Sequence, residues 1–440
     1  MIGRGQQSSM GIAAVAIENS MKPIHIMAKP QGPICNLDCT YCYYLEKEKL
    51  YGKAGRDYHM SEPVLDAYIR QYIQAQPPGP VSFAWQGGEA TLLGIPFFER
   101  ALELQKKYAG DREIFNSLQT NGTLLNDAWG EFLARNNILV GISIDGPQGI
   151  HDAYRIDKGG RPSFGRVLLG LDILKKHGVE FNVLTVINRK NSYHALEVYR
   201  FLKEIGSKFI QFIPIVEQIA DEPDPNGLVL IKPFSRQRAS ISEWSVEPLQ
   251  FGKFLTAIFD EWVREDVGRV FVQIFDVALE SWAGVPQSLC VFAPRCGQAL
   301  ALEHNGDLFS CDHFVYPENR LGNILEKPIS GLITSQQQIQ FGNAKETFLP
   351  TDCHECDVRF ACNGECPKHR FTSTSKGEYG LNYLCAGYKH FFRYIDPYMR
   401  FMAAELKQGR APSRVMEWAR QAGKLPMEER SRNTNEIFLA

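Results

Sequence analysis

The chain has 440 residues, of which 44% are hydrophobic and 22% charged, as in a globular protein with one large and one smaller domain. With a formal net charge of -2, the chain lacks the excess of basic residues that is typical of proteins that bind nucleic acids or anionic membranes. No apolar run could span a bilayer, and the stretch 10–17 lacks a signal-peptide layout. We therefore expect a cytoplasmic protein with no nucleic-acid or membrane partner and a disordered tail over residues 1–22.

Strand and helix patterns alternate from residue 23 to about residue 217. Ser61 and Ser163 are predicted helix N-caps, and Gly178 and Gly206 are predicted to follow helix C-termini. Repeated strand–helix units predict a parallel sheet, closed or partly closed as a barrel, with functional residues at the C-terminal ends of its strands. Short apolar, β-branched segments predict strands at Ile24–Ala28, Val81–Trp85, Ile114–Leu118, Val140–Ile144, Phe181–Ile187, Phe209–Val216 and Val270–Phe275.

The sequence changes in character after the amphipathic segment 247–266. From about residue 286, cysteines, glycines and short polar turns dominate, which is typical of a domain held by metals more than by an apolar core. We divide the chain accordingly into a barrel over 23–245, a connecting helix and strand over 246–285, a cysteine-rich domain over 286–395 and a C-terminal helix and tail over 396–440.

The eleven cysteines are unevenly distributed along the chain. Three lie between positions 35 and 42, none between 43 and 289, and eight between 290 and 385. In a cytoplasmic chain, clustered cysteines indicate metal ligation more than disulfides. The count divides naturally into one group of three and two groups of four.

The first group, Cys35, Cys39 and Cys42, forms a CxxxCxxC motif in the loop after the first predicted strand. Three thiolates can hold three irons of a [4Fe–4S] cluster and leave the fourth iron open to a small molecule. The alternatives are a zinc loop or ordinary buried thiols. Zinc normally takes four ligands, however, and the nearest further candidate is His59.

This motif, with the aromatic Tyr41 inside it, resembles that of the radical S-adenosylmethionine superfamily. The segment Trp85-Gln-Gly-Gly-Glu89 at the end of the second strand is similar to the GGE motif of that superfamily, although Ala90 stands where the family usually has proline. The resemblance implies a partial (β/α)6 TIM-like barrel that binds S-adenosylmethionine. The residues it places around this cofactor are Tyr44, Gly88, Ser143, Arg155 and Val216.

The later cysteines resemble the extension called a SPASM domain, which implies two auxiliary [4Fe–4S] clusters and thus three clusters in all. The family pattern assigns Cys290, Cys296, Cys311 and Cys366 to one auxiliary cluster, and Cys353, Cys356, Cys362 and Cys385 to the other. From the residues alone, eight ligands can be divided in many ways, and a pair of structural zinc sites is the alternative. Clusters ligated entirely by cysteine would transfer electrons.

A finer resemblance, from about residue 23 to residue 402, is to the anaerobic sulfatase-maturating enzymes. It is carried by Leu118-Gln-Thr-Asn-Gly-Thr, Ile210-Gln-Phe-Ile-Pro, Ser310-Cys-Asp-His-Phe and Leu381-Asn-Tyr-Leu-Cys385, besides the motifs above. It implies oxidation of a Cys or Ser in a sulfatase to Cα-formylglycine, through a 5′-deoxyadenosyl radical that removes hydrogen from Cβ. The implied partners are an unfolded or nascent sulfatase with a Cys/Ser-x-Pro/Ala-x-Arg motif and a reductant such as flavodoxin or ferredoxin.

After hydrogen abstraction the substrate must still lose a proton and an electron. The resemblance places the base at Asp312, directly after Cys311, and Gln86 near the substrate peptide. Asp312 could instead be a capping residue or tune the neighbouring cluster ligand, and Asp276 is a lesser candidate for the base.

Two other functions compete with this interpretation. One is a related maturase that forms crosslinks in a ribosomal peptide, and the other is a non-catalytic zinc or redox scaffold protein. The sequence leaves open whether the target side chain is cysteine or serine.

Overall fold

The computed structural model describes residues 23–51, 58–235 and 237–422. The predicted tail over 1–22 and the polar end after residue 422 lie outside the described residues.

A ten-stranded sheet organises the described part of the chain, in the order β12-β11-β10-β1-β2-β3-β4-β5-β6-β9. All neighbours from β10 to β9 are parallel, and β11 and β12 continue the sheet antiparallel. The strands are β1 His25–Lys29, β2 Val81–Trp85, β3 Ile114–Thr120, β4 Leu139–Ser143, β5 Phe181–Ile187, β6 Phe209–Pro214, β7 Gln218–Ala220, β8 Ala239–Ile241, β9 Phe271–Val272, β10 Ala299–Glu303, β11 Asp307–Phe309, β12 Arg320–Asn323, β13 Thr372–Ser373 and β14 Tyr379–Leu381.

Helices connect the parallel strands and continue into the cysteine-rich part of the chain. None of them, within the described ranges, is long and apolar enough to cross a membrane. The helices are α1 Glu62–Ala75, α2 Ile95–Tyr108, α3 Asp127–Arg135, α4 Gln148–His151, α5 Phe164–Lys176, α6 Ala195–Glu204, α7 Pro248–Glu265, α8 Gln273–Trp282, α9 Ile329–Ile333, α10 Gln336–Thr347, α11 Thr351–His354, α12 Arg359–Cys362, α13 Cys385–Lys407 and α14 Val415–Ala422.

The alternation of β1 to β6 with helices agrees with the predicted partial (β/α)6 barrel. Val140, Ile142 and Val183 are almost fully buried because β4 and β5 are central strands with both faces covered. Gly178 and Gly206 adopt positive φ angles of 67° and 83° just after α5 and α6, as predicted.

Three local expectations were wrong. Only Phe271–Val272 of the predicted strand 270–275 is extended, and α8 begins at Gln273. Ser61 and Ser163 precede helices, but neither side chain caps its helix. The Ser163 hydroxyl donates instead to the Arg155 carbonyl oxygen at 2.7 Å.

The cysteine-rich part is joined to the barrel through backbone hydrogen bonds. Strand β10 pairs with β1 over its full length, from His25–Ala299 to Lys29–Glu303. Helix α13 packs on α7, and a Cβ at Gly387 would lie 2.0 Å from the Pro248 carbonyl oxygen, so only glycine fits there. Helix α13 continues through residue 395 and so crosses the predicted limit between the cysteine-rich domain and the C-terminal segment. The domain limits stay a prediction.

Candidate active site

The loop after β1 holds the CxxxCxxC motif against the loop that follows β4. The amides of Asp38 and Thr40 donate to the carbonyl oxygens of Ile156 and Tyr154 at 2.8 and 2.9 Å. Burial raises the pKa of the Cys35 and Cys39 thiols to about 12 and also raises that of Cys42. Three half-buried thiols in one anchored loop are a suitable donor set for a cluster, because metal binding releases the thiol protons.

The glycine segment after β2 packs directly on this loop. A Cβ at Gly88 would lie 2.0 Å from the Ile34 carbonyl oxygen, so the close approach here is between two backbone segments. The Gly88 amide donates to Gly32 at 2.8 Å and the Glu89 amide to Ile34 at 2.9 Å. Gln86, one residue past β2, donates its amide to the Ala28 carbonyl oxygen at 2.9 Å.

Glu89 is buried and connects the ends of β2 and β3. Its carboxylate accepts hydrogen bonds from the Thr91 and Asn121 amides and from the Thr120 hydroxyl, at 2.7–3.1 Å. Burial raises the pKa of this carboxyl group, while these donors act in the opposite direction. The described contacts thus give Glu89 a structural role beside the cysteine loop.

Arg155 is buried and forms an ion pair with Asp145, with 3.1 Å between Nε and Oδ2. Tyr41 from the cysteine motif donates its hydroxyl to the same carboxylate oxygen at 2.5 Å. Ser143, at the end of β4, accepts from Gln119 Nε2 at 3.0 Å. Arg155 therefore lies against the cysteine loop, and its charge acts to lower the pKa of Cys39.

Tyr44 and Val216 lie elsewhere at the site. The Tyr44 hydroxyl donates to both oxygens of Glu303 on β10, at 2.7 and 2.9 Å. Val216 is buried and lines a small cavity together with Glu217, Phe234 and Lys368. The Tyr44 hydroxyl is thus already engaged, and any contact with a cofactor falls to its ring or backbone.

Asp312 begins the short turn Asp312–Phe314, which follows Cys311 after β11. It forms an ion pair with Lys29 at the end of β1, and the Tyr43 hydroxyl donates to its Oδ2 at 2.5 Å. Burial raises the pKa of this carboxyl group, but the charge of Lys29 and the hydrogen bonds from Lys29 and Tyr43 outweigh it, so the pKa is held at about 2. The side chain is therefore a carboxylate at neutral pH.

The surroundings of Asp312 extend from the cysteine loop to the later cysteines. The His313 ring nitrogen Nδ1 lies 3.4 Å from the Cys366 sulfur, and its ring centroid is 5.8 Å from that of Tyr43. The Lys368 ammonium lies 4.5 Å from the Tyr43 ring centroid and pairs with Glu217. Burial lowers the pKa of His313 to about 3, so its imidazole is neutral.

One group of four later cysteines shares a cavity. Cys353, Cys356, Cys362 and Cys385 line a cavity of about 90 Å³, together with Asn382. This is the set that the family pattern assigns to one auxiliary cluster, and four thiols facing one cavity are a suitable donor set for it.

The other four cysteines lie close enough together to influence one another's pKa values. Burial raises the pKa of Cys311, and the charges of Cys290 and Cys296 raise it further. The pKa of Cys366 is likewise raised by burial, and then by Glu365, Cys311 and Cys296. The proximity of these thiols supports the second predicted set.

Sequence reasoning missed several residues around Asp312, namely Lys29, Tyr43, Glu217, His313 and Lys368. Lys29 could have been recognised from the sequence, because it is a cation at the end of a largely apolar strand. Such positions face the site in parallel barrels. Asp276 lies within α8, where burial and Glu280 raise the pKa of its carboxyl group to about 7.

Residues 30–202 match the family model described as the Radical SAM superfamily, and residues 290–357 match that of an iron-sulfur cluster-binding domain. The chain is 49% identical to the serine-type anaerobic sulfatase-maturating enzyme of Bacteroides thetaiotaomicron, covering 92% of this chain and 97% of that enzyme. It is 34% identical to the cysteine-type enzyme of Clostridium perfringens, covering 88% and 100%. These matches confirm the resemblance drawn from the motifs.

A solved structure, native anSMEcpe with bound AdoMet and Cp18Cys peptide, superposes with a TM-score of 0.75. The identity is 33%, and the match covers 88% of this chain and 100% of that one. The fold and the predicted cofactors, [4Fe–4S] clusters and S-adenosylmethionine, are confirmed.

Proposed function

The chain belongs to the anaerobic sulfatase-maturating enzymes of the radical S-adenosylmethionine superfamily, and we propose that its target side chain is a serine. It oxidises a Cys or Ser side chain of a sulfatase to Cα-formylglycine. The serine assignment rests on one observation: the identity is 49% to a serine-type relative, but 34% to a cysteine-type relative.

The cysteine motif of the first loop would hold the radical-generating cluster, and the two later sets would hold the auxiliary clusters. When bound, the reduced first cluster and S-adenosylmethionine supply the 5′-deoxyadenosyl radical that removes hydrogen from the substrate Cβ. Gly88, Ser143, Arg155, Tyr44 and Val216 would surround S-adenosylmethionine, and Gln86 would lie near the peptide. The position of Arg155 against the cysteine loop supports its part in this pocket.

Asp312 would accept the proton of the substrate hydroxyl group. A serine that has lost a Cβ hydrogen atom becomes an aldehyde by giving up one electron and its hydroxyl proton. Removal of the electron leaves a protonated carbonyl, which is a much stronger acid than an alcohol. A carboxylate with a pKa of about 2 can therefore accept this proton, provided that it lies within hydrogen-bond reach.

Lys29 and Tyr43 would position this base. The Lys29 ammonium keeps Asp312 deprotonated, and the Tyr43 hydroxyl directs Oδ2 by donating to it at 2.5 Å.

The partners follow from the reaction. The substrate would be an unfolded or nascent sulfatase with a Ser-x-Pro/Ala-x-Arg motif. Reduction of the first cluster requires a low-potential donor such as flavodoxin or ferredoxin, and clustered free thiols fit the reducing cytoplasm.

The serine assignment predicts turnover of a serine peptide. After anaerobic reconstitution, we expect a peptide with Ser-x-Pro-x-Arg to lose the mass of two hydrogen atoms, with release of 5′-deoxyadenosine. The matched peptides carry cysteine or alanine at the target position, and mass spectrometry follows all three. Conversion of the cysteine peptide alone would contradict the serine assignment, and formylglycine from neither peptide would contradict the function itself.

A second prediction concerns the pH dependence. In Lys29→Met, burial is no longer opposed by the ammonium, so the pKa of Asp312 is expected to rise. Because only the carboxylate accepts a proton, activity is lost as the pH falls through this pKa. The acidic limb of the kcat/KM profile should therefore move to higher pH, while Lys29→Arg should keep the original profile. Superimposable profiles of Lys29→Met and the unaltered enzyme would refute this role.

A further inference from the structure

Two buried cations, Lys345 and Arg370, lie among the later cysteines. Lys345, on α10, is 0% exposed. Arg370, in the segment after Cys366, is 4% exposed. Within the described ranges, neither forms an ion pair with a carboxylate. Burying a charge without an opposite charge nearby is strongly unfavourable, so an opposite charge is expected near each cation.

All the hydrogen bonds of both side chains go to neutral backbone carbonyl groups. Lys345 Nζ donates to the carbonyl oxygens of Cys290 and Val291, both at 2.8 Å. The Arg370 guanidinium donates to the carbonyl oxygens of Gly364, Lys345, Asn363 and Glu365 at 2.6–3.0 Å. These bonds satisfy the donors without bringing a carboxylate into contact with either positive charge.

The nearest acid is only partly available to them. The Glu365 carboxylate accepts from His369 Nδ1 at 3.0 Å and from Asn382 Nδ2 at 2.6 Å, and makes no ion pair with Lys345 or Arg370. One carboxylate also leaves one of two cations unmatched.

As cluster ligands, the cysteines would be thiolates and would supply further negative charge. Lys345 interacts electrostatically with Cys296 and Cys366. Arg370 interacts with the same two thiols and also with Cys353, which belongs to the other set. Arg370 therefore lies between the two sets, whereas Lys345 is associated with one of them.

A [4Fe–4S] cluster with four thiolates carries net negative charge, which increases by one unit when it accepts an electron. A fixed cation nearby consequently stabilises the reduced state more than the oxidised state and raises the reduction potential.

We propose that Lys345 and Arg370 raise the reduction potentials of the auxiliary clusters, so that these clusters accept the electron released by the substrate radical. Lys345 acts on the cluster of Cys290, Cys296, Cys311 and Cys366, and Arg370 acts on both. The proposal rests on the cysteine assignment given above. Both are positioning residues, because they act on the reaction through the clusters.

The test is a potentiometric titration of each cluster, followed by electron paramagnetic resonance, in the full-length reconstituted protein. The variants are Lys345→Met and Arg370→Met, with Lys345→Arg and Arg370→Lys as controls that keep the charge. Iron and sulfide content is measured in each. This readout needs no sulfatase peptide, so its result is independent of whether formylglycine forms.

In Lys345→Met, the ratio of reduced to oxidised cluster at a fixed potential should fall at least tenfold for one auxiliary cluster. For a one-electron couple this corresponds to a reduction potential lowered by about 59 mV. Arg370→Met should lower it for both, and the first-loop cluster should be unaffected. If the methionine variants fail to load clusters but the charge-keeping variants load them, the charge requirement is likewise supported. Unchanged potentials in loaded methionine variants, or equal failure of all four variants to load, would overturn the proposal.

Discussion

Asp312→Asn is expected to lower formylglycine formation by about 10²–10⁴-fold, the usual contribution of a positioned general base. Asparagine has nearly the same shape, but its side chain cannot accept the substrate proton. The change also removes the negative charge that Lys29 pairs with, whereas the thiols that hold the clusters are left in place. Hydrogen abstraction precedes proton removal, so S-adenosylmethionine cleavage should continue.

The measurement is the ratio of 5′-deoxyadenosine to formylglycine in single-turnover reactions, which should rise strongly in Asp312→Asn. Tyr43→Phe serves as the matched control, because it removes the hydrogen bond at 2.5 Å but keeps the carboxylate. Its loss of activity should be clearly smaller. Full activity of Asp312→Asn with all clusters present would refute the assignment of the base.

Cys39→Ala and Cys385→Ala are expected to fail in different ways. Cys39 belongs to the buried loop motif, so its loss should abolish S-adenosylmethionine cleavage together with formylglycine formation. Cys385 lines the separate cavity of about 90 Å³, so its loss should remove one auxiliary cluster while cleavage stays measurable. Formylglycine should then be lost because the electron has no acceptor.

Iron content, the spectrum of each cluster and the two products distinguish these outcomes. Each variant is the control for the other, since both replace one cysteine of one cluster. Retention of formylglycine formation by Cys385→Ala, with its cluster absent, would contradict the electron-transfer role.

The sequence was most informative where a strand is short, apolar and bounded by turns. Val81–Trp85 and Phe181–Ile187 were predicted with their exact limits, because alternate side chains of these central strands are buried. The segment 270–275 was assigned wrongly because an apolar run of that length fits a buried helix as well as a strand, and here α8 begins at Gln273.

The candidate site likewise has a part that the sequence predicts and a part that it does not. The cysteine motifs are local in sequence, and their spacing carries the chemistry. The residues around Asp312 are distant from it in sequence. Lys29 and Tyr43 precede it by more than about 260 residues, and the pairing of β1 with β10 brings them into contact with it. Long-range contacts of this kind leave no local periodicity from which they could be inferred.

The pairing of β1 with β10 has a consequence for how the chain can be divided. A barrel cut before residue 286 would leave the β10-facing edge of the five-residue strand β1 without its hydrogen-bonding partner and open to other strands. Lys29 at the end of that strand would also lose its anionic partner. The barrel is therefore not a self-contained module to which an electron-accepting unit was appended; the later segment completes it, and the two must be expressed, and replaced, together.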